Sequence, residues 1–136
     1  GEARAQEYQA WKNASTLPAV NGAHGKRFLM TFVNETGYAE YTKFADEGVK
    51  MPVGSVIAKE SFNVSKKGKV KHGPLFFMEK VAAGTADEFG NWLYTAYTTK
   101  GKVMKVKQGF CHGCHKAFED QDALGYPGED YRVSSN

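Results

Sequence analysis

The sequence has few of the features that mark membrane-spanning or disordered proteins. No apolar run approaches the roughly 20 residues that a helix needs to cross a bilayer, so no membrane span is predicted. No basic start followed by an apolar stretch occurs, so we expect no secretion signal within these residues. Hydrophobic residues make up 41% of the chain and aromatic residues 13%, which excludes a disordered protein and allows a hydrophobic core. Only two cysteines are present.

A strong excess of one charge is also absent, because the net charge is only +3. Lysines nevertheless cluster in two places, which are Lys66, Lys67, Lys69 and Lys71, and then Lys100, Lys102, Lys105 and Lys107. Acidic residues nearly balance the basic ones, so we predict solvated turns and no nucleic-acid partner. The second cluster directly precedes the cysteines and is a candidate docking surface for an acidic partner.

The 136 residues fit one compact domain, and we predict a single domain over residues 1–136. Hydrophobic patterns predict helices over 3–13 and 36–48, with the second helix ending at Gly48, and a loop over 15–26. They predict strands over 27–34, 54–64, 74–81 and 90–99. Four strands in hairpin-like order with short flanking helices indicate an α+β fold built mainly on an antiparallel sheet.

Both cysteines belong to the segment Cys111-His112-Gly113-Cys114-His115, which has the C-x-x-C-H pattern of c-type haem attachment. Two thiols three residues apart can each bond to one of the two vinyl groups of a haem. The histidine after the second thiol then lies below the iron and can supply an axial nitrogen. The motif predicts one covalently bound haem c, with Cys111 and Cys114 as tethers and His115 as the metal ligand.

Two other uses of paired cysteines compete with haem attachment. A thioredoxin-like redox pair usually lies early, within a βαβ unit, whereas this motif is late. A structural zinc ion takes four ligands, and the motif's own side chains are too close together to surround one. His24 and His72 could complete a zinc site, but neither has ligand-like spacing. Because covalent haem attachment takes place outside the cytoplasm, the haem interpretation predicts a periplasmic protein.

The sixth coordination position of the iron distinguishes kinds of haem protein. An electron-transfer cytochrome fills it with Met or His. The candidates here are Met30, Met51, Met78, Met104, His24 and His72. Met30 and Met78 fall in predicted strands, where a buried methionine usually fills the core. No methionine follows the motif at the distance that small helical cytochromes c use, so a plain electron carrier is the weakest alternative.

Five segments, taken in order, resemble the family of β-sheet haem proteins that includes cytochrome P-460 and cytochrome c-prime-beta. They are RFLMTFVNETGYAEY, GSVIAKESFNV, GPLFFMEKV, GNWLYTAY and the late C-x-x-C-H motif, and the resemblance covers residues 26–133. It implies an antiparallel sheet, a homodimer, and a five-coordinate haem iron with an open distal side.

The cytochrome P-460 branch oxidises hydroxylamine and joins a lysine side chain to the porphyrin, and Lys59 stands at the matching position. Burying a lysine costs free energy unless it is neutralised or bonded, and periodicity slightly favours a solvent-facing Lys59. This branch also implies an arginine in the first strand and a carboxylate shortly before the motif. Leu29 and Val106 stand at those positions, which departs from the oxidase pattern.

The c-prime-beta branch implies phenylalanines over the iron. Phe32 and Phe62 are the best matches, with Phe76 and Phe77 next, although each could be ordinary core. Aromatic rings deny hydrogen bonds to dioxygen and exclude water and anions, so an apolar cap selects nitric oxide or carbon monoxide. The resemblance favours gas binding in a pocket of Phe32, Phe62, Leu29 and Val106, with hydroxylamine oxidation as the alternative and a redox partner unspecified.

Overall fold

The computed structural model describes residues 8–14, 19–21, 27–124 and 126. The strands are β1 (Lys12–Asn13), β2 (Ala19–Asn21), β3 (Arg27–Val33), β4 (Val56–Val64), β5 (Val70–Lys80), β6 (Trp92–Tyr97) and β7 (Val103–Met104). The α-helices are α1 (Glu35–Tyr41) and α2 (Gln108–His115), and short 3-10 helices span Tyr8–Ala10, Asp87–Phe89 and Lys116–Gln121. Among these described residues, no helix is both long and apolar enough to cross a bilayer.

The strands form one antiparallel sheet in the order β1-β3-β4-β5-β6-β7, and β2 also pairs with β3. From β3 onwards, each strand pairs with the next strand of the chain. Hairpin connections therefore build most of the sheet, and α1 is the only α-helix that interrupts it in the part of the chain described. This confirms the predicted α+β fold with a mainly antiparallel sheet.

The local predictions succeed for long elements and fail for short ones. The four predicted strands are present with shifted ends, and β5 begins earlier, at Val70. The strands β1, β2 and β7 have two or three residues each, too few for an alternating pattern to be recognised. For this reason β2 falls in the predicted loop 15–26. In the described part of the predicted helix 3–13, Tyr8–Ala10 form a 3-10 helix, but Lys12–Asn13 form strand β1 instead. Residues 3–7 lie outside the described part.

The helix predicted over 36–48 ends well before Gly48. It ends at Tyr41, and the Thr42 hydroxyl donates to the Tyr38 carbonyl at 2.8 Å. Phe44 then has a φ of +47°, which no continuing helix can adopt. Gly48, with a φ of +71°, lies in the following loop instead.

Asn34 fastens the start of α1 to the sheet. Its side-chain oxygen accepts hydrogen bonds from the backbone amides of Gly37 at 3.2 Å and Val56 at 3.0 Å. Its side-chain nitrogen donates to the Gly54 carbonyl at 2.9 Å. One side chain thus caps the helix and ties it to β4, which sets α1 against one face of the sheet.

The two faces of the sheet bury different clusters. We call one the helical face, because residues of α1, of α2 and of the chain after α2 pack on it. Its buried cluster includes Val33, Tyr41, Val49, Met51, Ile57, Met78, Trp92, Tyr94, Ala123 and Leu124, with Cys111 packed against them. The opposite face buries Tyr8, Val56, Ala58, Phe77 and Tyr97. Successive strand residues alternate between these faces, and this alternation decides which side chains can approach His115.

Candidate functional site

The C-x-x-C-H motif lies on α2, the helix that packs on the helical face. Cys111 and His115 are four residues apart, so they lie on the same side of this helix. Cys111 is partly buried against the core cluster. Cys114 is within the helix, and its side chain lies outside the described part of the structure. Helical geometry therefore presents one described thiol and the histidine in a common direction.

Gln108 holds the start of α2 against strand β6. Its side-chain nitrogen donates to the Tyr94 carbonyl at 2.6 Å, and its side-chain oxygen accepts from the Tyr94 amide at 2.7 Å. The amide side chain thus binds both backbone groups of Tyr94, as a neighbouring strand would. Sequence reasoning missed this residue, because a glutamine at a helix start carries no distinctive signal.

His115 is held in one tautomer by the backbone that follows α2. Its Nδ1 donates to the Ala123 carbonyl at 2.7 Å, and a carbonyl oxygen can only accept. Burial, reinforced by the positive charge of Lys59, lowers the pKa of His115 to about 4, so the ring is neutral near pH 7. Nδ1 therefore carries the single proton, and the lone pair of Nε2 is available to bind a metal. These residues fit the axial ligation that a c-type haem requires.

Aromatic rings surround the two histidines of the motif. The Tyr94 ring lies 5.3 Å from the His115 ring, and the Phe89 ring lies 5.8 Å from the His112 ring, measured between centroids. The Tyr94 hydroxyl is 3.5 Å from Nδ1 of His112. Burial raises the pKa of Tyr94, so its hydroxyl remains protonated. The Tyr94 side chain thus lies against both histidines of the motif.

Lys59 lies on the helical face, which periodicity alone did not favour. It is opposite Thr31 on β3 and Phe76 on β5, and its side chain is only 8% exposed. Burial lowers its pKa from 10.5 to about 8. No ion-pair partner for Lys59 occurs among the described residues. A buried amine thus lies on the same face as His115, close enough for its charge to act on the imidazole.

Small, apolar and hydroxyl side chains surround Lys59 on this face. Leu29 and Ser61 are opposite one another and buried, and Phe76 is partly buried opposite both Lys59 and Ala96. Val106, predicted to lie near the iron, is partly buried in the segment between β7 and α2. Among the described side chains in register with Lys59 on β3 to β6, none is a carboxylate or a guanidinium.

Phe32 and Phe62 lie on the opposite face, which corrects the placement predicted for them. Phe32 packs edge-to-face against Tyr8, with centroids 5.3 Å apart, and Phe62 stacks on Phe28 at 5.7 Å. The sheet separates both rings from His115, because residues 32 and 62 differ in strand parity from residues 29 and 59. Phe77 pairs with Ala58 and also belongs to the core of the opposite face.

The candidate sixth ligands are distributed over both faces. Met78 and Met51 are buried in the core of the helical face, whereas Met30 alternates onto the opposite face with Phe32. Met104 lies opposite Ala96 on the edge strand, and His72 packs near Phe62. His24 lies outside the described residues. In the described part of the chain, no three Cys, His, Asp or Glu side chains are grouped as a metal site.

Comparison with known proteins gives one match of broad extent. The family model described as Cytochrome P460 matches residues 5–124, which is 120 of the 136 residues. No curated protein matches the chain significantly. The matched range includes every strand described above, the buried Lys59 and the whole C-x-x-C-H motif.

Proposed function

Because the chain belongs to the cytochrome P460 family, and is thus a haem cytochrome, we propose that it binds nitric oxide at a single five-coordinate haem c. In this proposal Cys111 and Cys114 hold the haem covalently, and His115 provides the axial nitrogen through Nε2. When bound, the haem supplies an iron with one vacant coordination position that takes up a diatomic gas. The neutral, Nδ1-protonated state of His115 supports its part in this arrangement.

The observation that carries the proposal is the polarity of the helical face around Lys59. Leu29 and Phe76 stand there with two hydroxyl side chains, and the described strand residues in register with Lys59 include no carboxylate or guanidinium. Hydroxylamine oxidation removes protons and therefore needs a positioned base. A site without a carboxylate base still binds a neutral diatomic, and the apolar side chains of Leu29 and Phe76 select against water. Phe76 takes the capping role that the sequence had predicted for Phe32 and Phe62.

Absorption spectra of the purified ferrous holoprotein test this function. We expect a five-coordinate spectrum before any ligand is added and large changes with nitric oxide and carbon monoxide. Replacing Phe76 by Ala should admit water or anions, whereas Phe32→Ala, on the opposite face, should leave the ligand-binding rates unchanged. Low-spin bands in the ligand-free protein would instead indicate a Met or His sixth ligand and would reject the proposal.

A second candidate function, hydroxylamine oxidation of the cytochrome P-460 kind, is favoured by Lys59. Its amine is buried on the face of His115 and lacks an ion-pair partner among described residues. Burial also brings its pKa to about 8, so a useful fraction is neutral and nucleophilic near neutral pH. A bond from Nζ to a porphyrin carbon would remove one hydrogen from each atom, a two-electron oxidation with a peroxide as the oxidant, and would lower the intact mass by that hydrogen. That mass, a red-shifted Soret band and turnover of hydroxylamine would together establish this alternative.

Compartment and assembly belong to the same proposal. Covalent haem attachment outside the cytoplasm supports a periplasmic location, which fractionation of expressing cells would test. We also propose a homodimer, as in the resemblance described above, and an acidic redox partner. Light scattering of the holoprotein would measure the first, and a monomeric mass at micromolar concentration would contradict it.

A further inference from the structure

The turn that holds His115 has an unfavourable backbone conformation at two successive residues. Asp122 and Ala123, neither of them glycine, have φ angles of +53° and +60°. L-residues avoid this left-handed region because the Cβ approaches the following carbonyl, and two in a row are uncommon. Such a conformation persists only where the surrounding contacts impose it.

The contacts that impose it converge on Asp122 from three other parts of the chain. Lys80 Nζ, at the end of β5, forms an ion pair with Oδ1 at 2.7 Å. The Met51 amide, in the loop after α1, donates to Oδ2 at 2.9 Å, and the Trp92 indole of β6 donates to the backbone carbonyl of Asp122 at 2.8 Å. Both carboxylate oxygens and the backbone carbonyl oxygen of Asp122 therefore each have a partner.

Lys80 is itself held in place, so it is a fixed anchor rather than a mobile surface charge. Its amine also donates to the Gly90 carbonyl at 2.9 Å and lies 5.1 Å from the centre of the Trp92 ring. Both side chains of the Lys80–Asp122 pair are only 15% exposed. By contrast, the Lys43–Glu40 pair has the same 2.7 Å distance, but its lysine is 56% exposed.

The carbonyl next to this anchored residue is the one that accepts the Nδ1 proton of His115. Ala123 is 5% exposed and packs in the core of the helical face, so its carbonyl has little freedom once Asp122 is fixed. The geometry points to Asp122 as a positioning residue, which, with Lys80, fixes the Ala123 carbonyl and so orients His115 and strengthens its donation to the iron. This inference rests on the proposed axial role of His115, and nothing in the C-x-x-C-H motif predicts it.

The physical consequence concerns the iron–histidine bond. A hydrogen bond from Nδ1 to a fixed acceptor increases the electron density on Nε2 and fixes the plane of the ring. If the turn relaxes, the acceptor moves, the donation weakens, and the ferric state loses stabilisation relative to the ferrous state. A purely structural ion pair would change thermal stability without changing either property.

The experiment compares variants of the holoprotein by resonance Raman spectroscopy and redox titration. Lys80→Met and Asp122→Ala should move the iron–histidine stretching band of the ferrous protein to lower frequency and the reduction potential upwards. Lys80→Arg should keep the band and the reduction potential at their wild-type values, because it retains the positive charge. Glu40→Gln, which breaks an exposed ion pair of equal length on α1, is the matched control and should change neither.

Two outcomes would overturn the inference, and they are distinguishable from each other. If the Lys80 and Asp122 variants lose thermal stability but keep the wild-type band and potential, the pair is structural only. If wild-type protein shows no iron–histidine band, the ferrous iron is not five-coordinate with His115 as its axial ligand, and the proposed function fails as well. Should Asp122→Ala not retain haem, Asp122→Asn allows the same comparison, because Asn tolerates the left-handed conformation and keeps one side-chain oxygen.

Discussion

The burial of Lys59 should make the stability of this protein depend on pH. Burial lowers the pKa of its amine from 10.5 to about 8. Below pH 8 the amine is protonated in both the folded and the unfolded chain, and the folded chain then holds a buried charge. As the pH rises from 8 towards 10.5, the folded protein releases this proton before the unfolded chain does. The free energy of unfolding should therefore rise over that interval.

The magnitude follows from the difference between the two pKa values. At 1.36 kcal/mol per pKa unit, the drop from 10.5 to about 8 corresponds to roughly 3 kcal/mol of stability that is missing below pH 8 and regained above 10.5. Replacing Lys59 by Met keeps the length of the side chain and removes the charge. We expect the variant to exceed wild type by about 3 kcal/mol near pH 7 and to approach it near pH 10.5.

Urea unfolding, followed by circular dichroism at successive pH values, measures this difference. Subtracting the free energy of unfolding of wild type from that of Lys59→Met at each pH cancels the contribution of all other titrating groups. Lys69→Met, on the exposed turn after β4, serves as the control and should track wild type at every pH. A difference between wild type and Lys59→Met that does not change with pH, in protein of unmodified mass, would show that Lys59 is not a buried titrating amine. The same flat difference with a lowered mass would indicate a bonded Nζ and favour hydroxylamine oxidation.

Three further predictions concern packing, the attachment of α2 and surface charge. A Cβ at Gly37 would lie 2.8 Å from the Ser55 Cβ, so Gly37→Ala should lower the free energy of unfolding by about 1–2 kcal/mol despite its better helix propensity; unchanged stability would mean that this contact relaxes freely. Gln108→Ala removes both hydrogen bonds to Tyr94. A loss of roughly 1.4 kcal/mol should speed hydrogen exchange of the Tyr94 amide about tenfold, whereas Gln121→Ala should leave this exchange rate unchanged. The turns after β4 and β6 lie at the same end of the sheet, and their exposed lysines should make reduction by an anionic reagent fall by about tenfold between low and physiological salt; an equal fall with a cationic reagent would contradict this.

The long strands and the attachment motif could be predicted because their signals are local. Alternation over β4, with Ile57 buried on one face and Ala58 on the other, follows from the backbone pleat. The choice of face for Phe32 was not predictable in the same way. A phenylalanine fits either buried face of a two-sided sheet, and only the pairing of Phe32 with Ala58 and its contact with Tyr8 decide between them.

Lys59 illustrates the opposite error. The charge of Lys59 predicts a solvent-facing side chain when the strand is considered alone. The free-energy cost of burying the charge follows from the residue itself, whereas the contacts that offset it come from other strands. Lys59 pairs with Thr31 on β3 and with Phe76 on β5, and this pairing places it on the helical face, on which α2 also packs. A residue that violates the local rule in this way is most often one with a function.

By itself, the sequence determined that this protein carries a C-x-x-C-H helix after a series of antiparallel strands, since spacing and alternation are written within a few neighbouring residues. The tertiary structure decided which of the candidate side chains share a face with His115, and it added Asp122. Leu29, Lys59, Phe76 and Asp122 come from four separate segments, and strand register and a strained turn bring them to one face. Such contacts depend on the sum of many weak pairings along the whole chain, so no local pattern contains them.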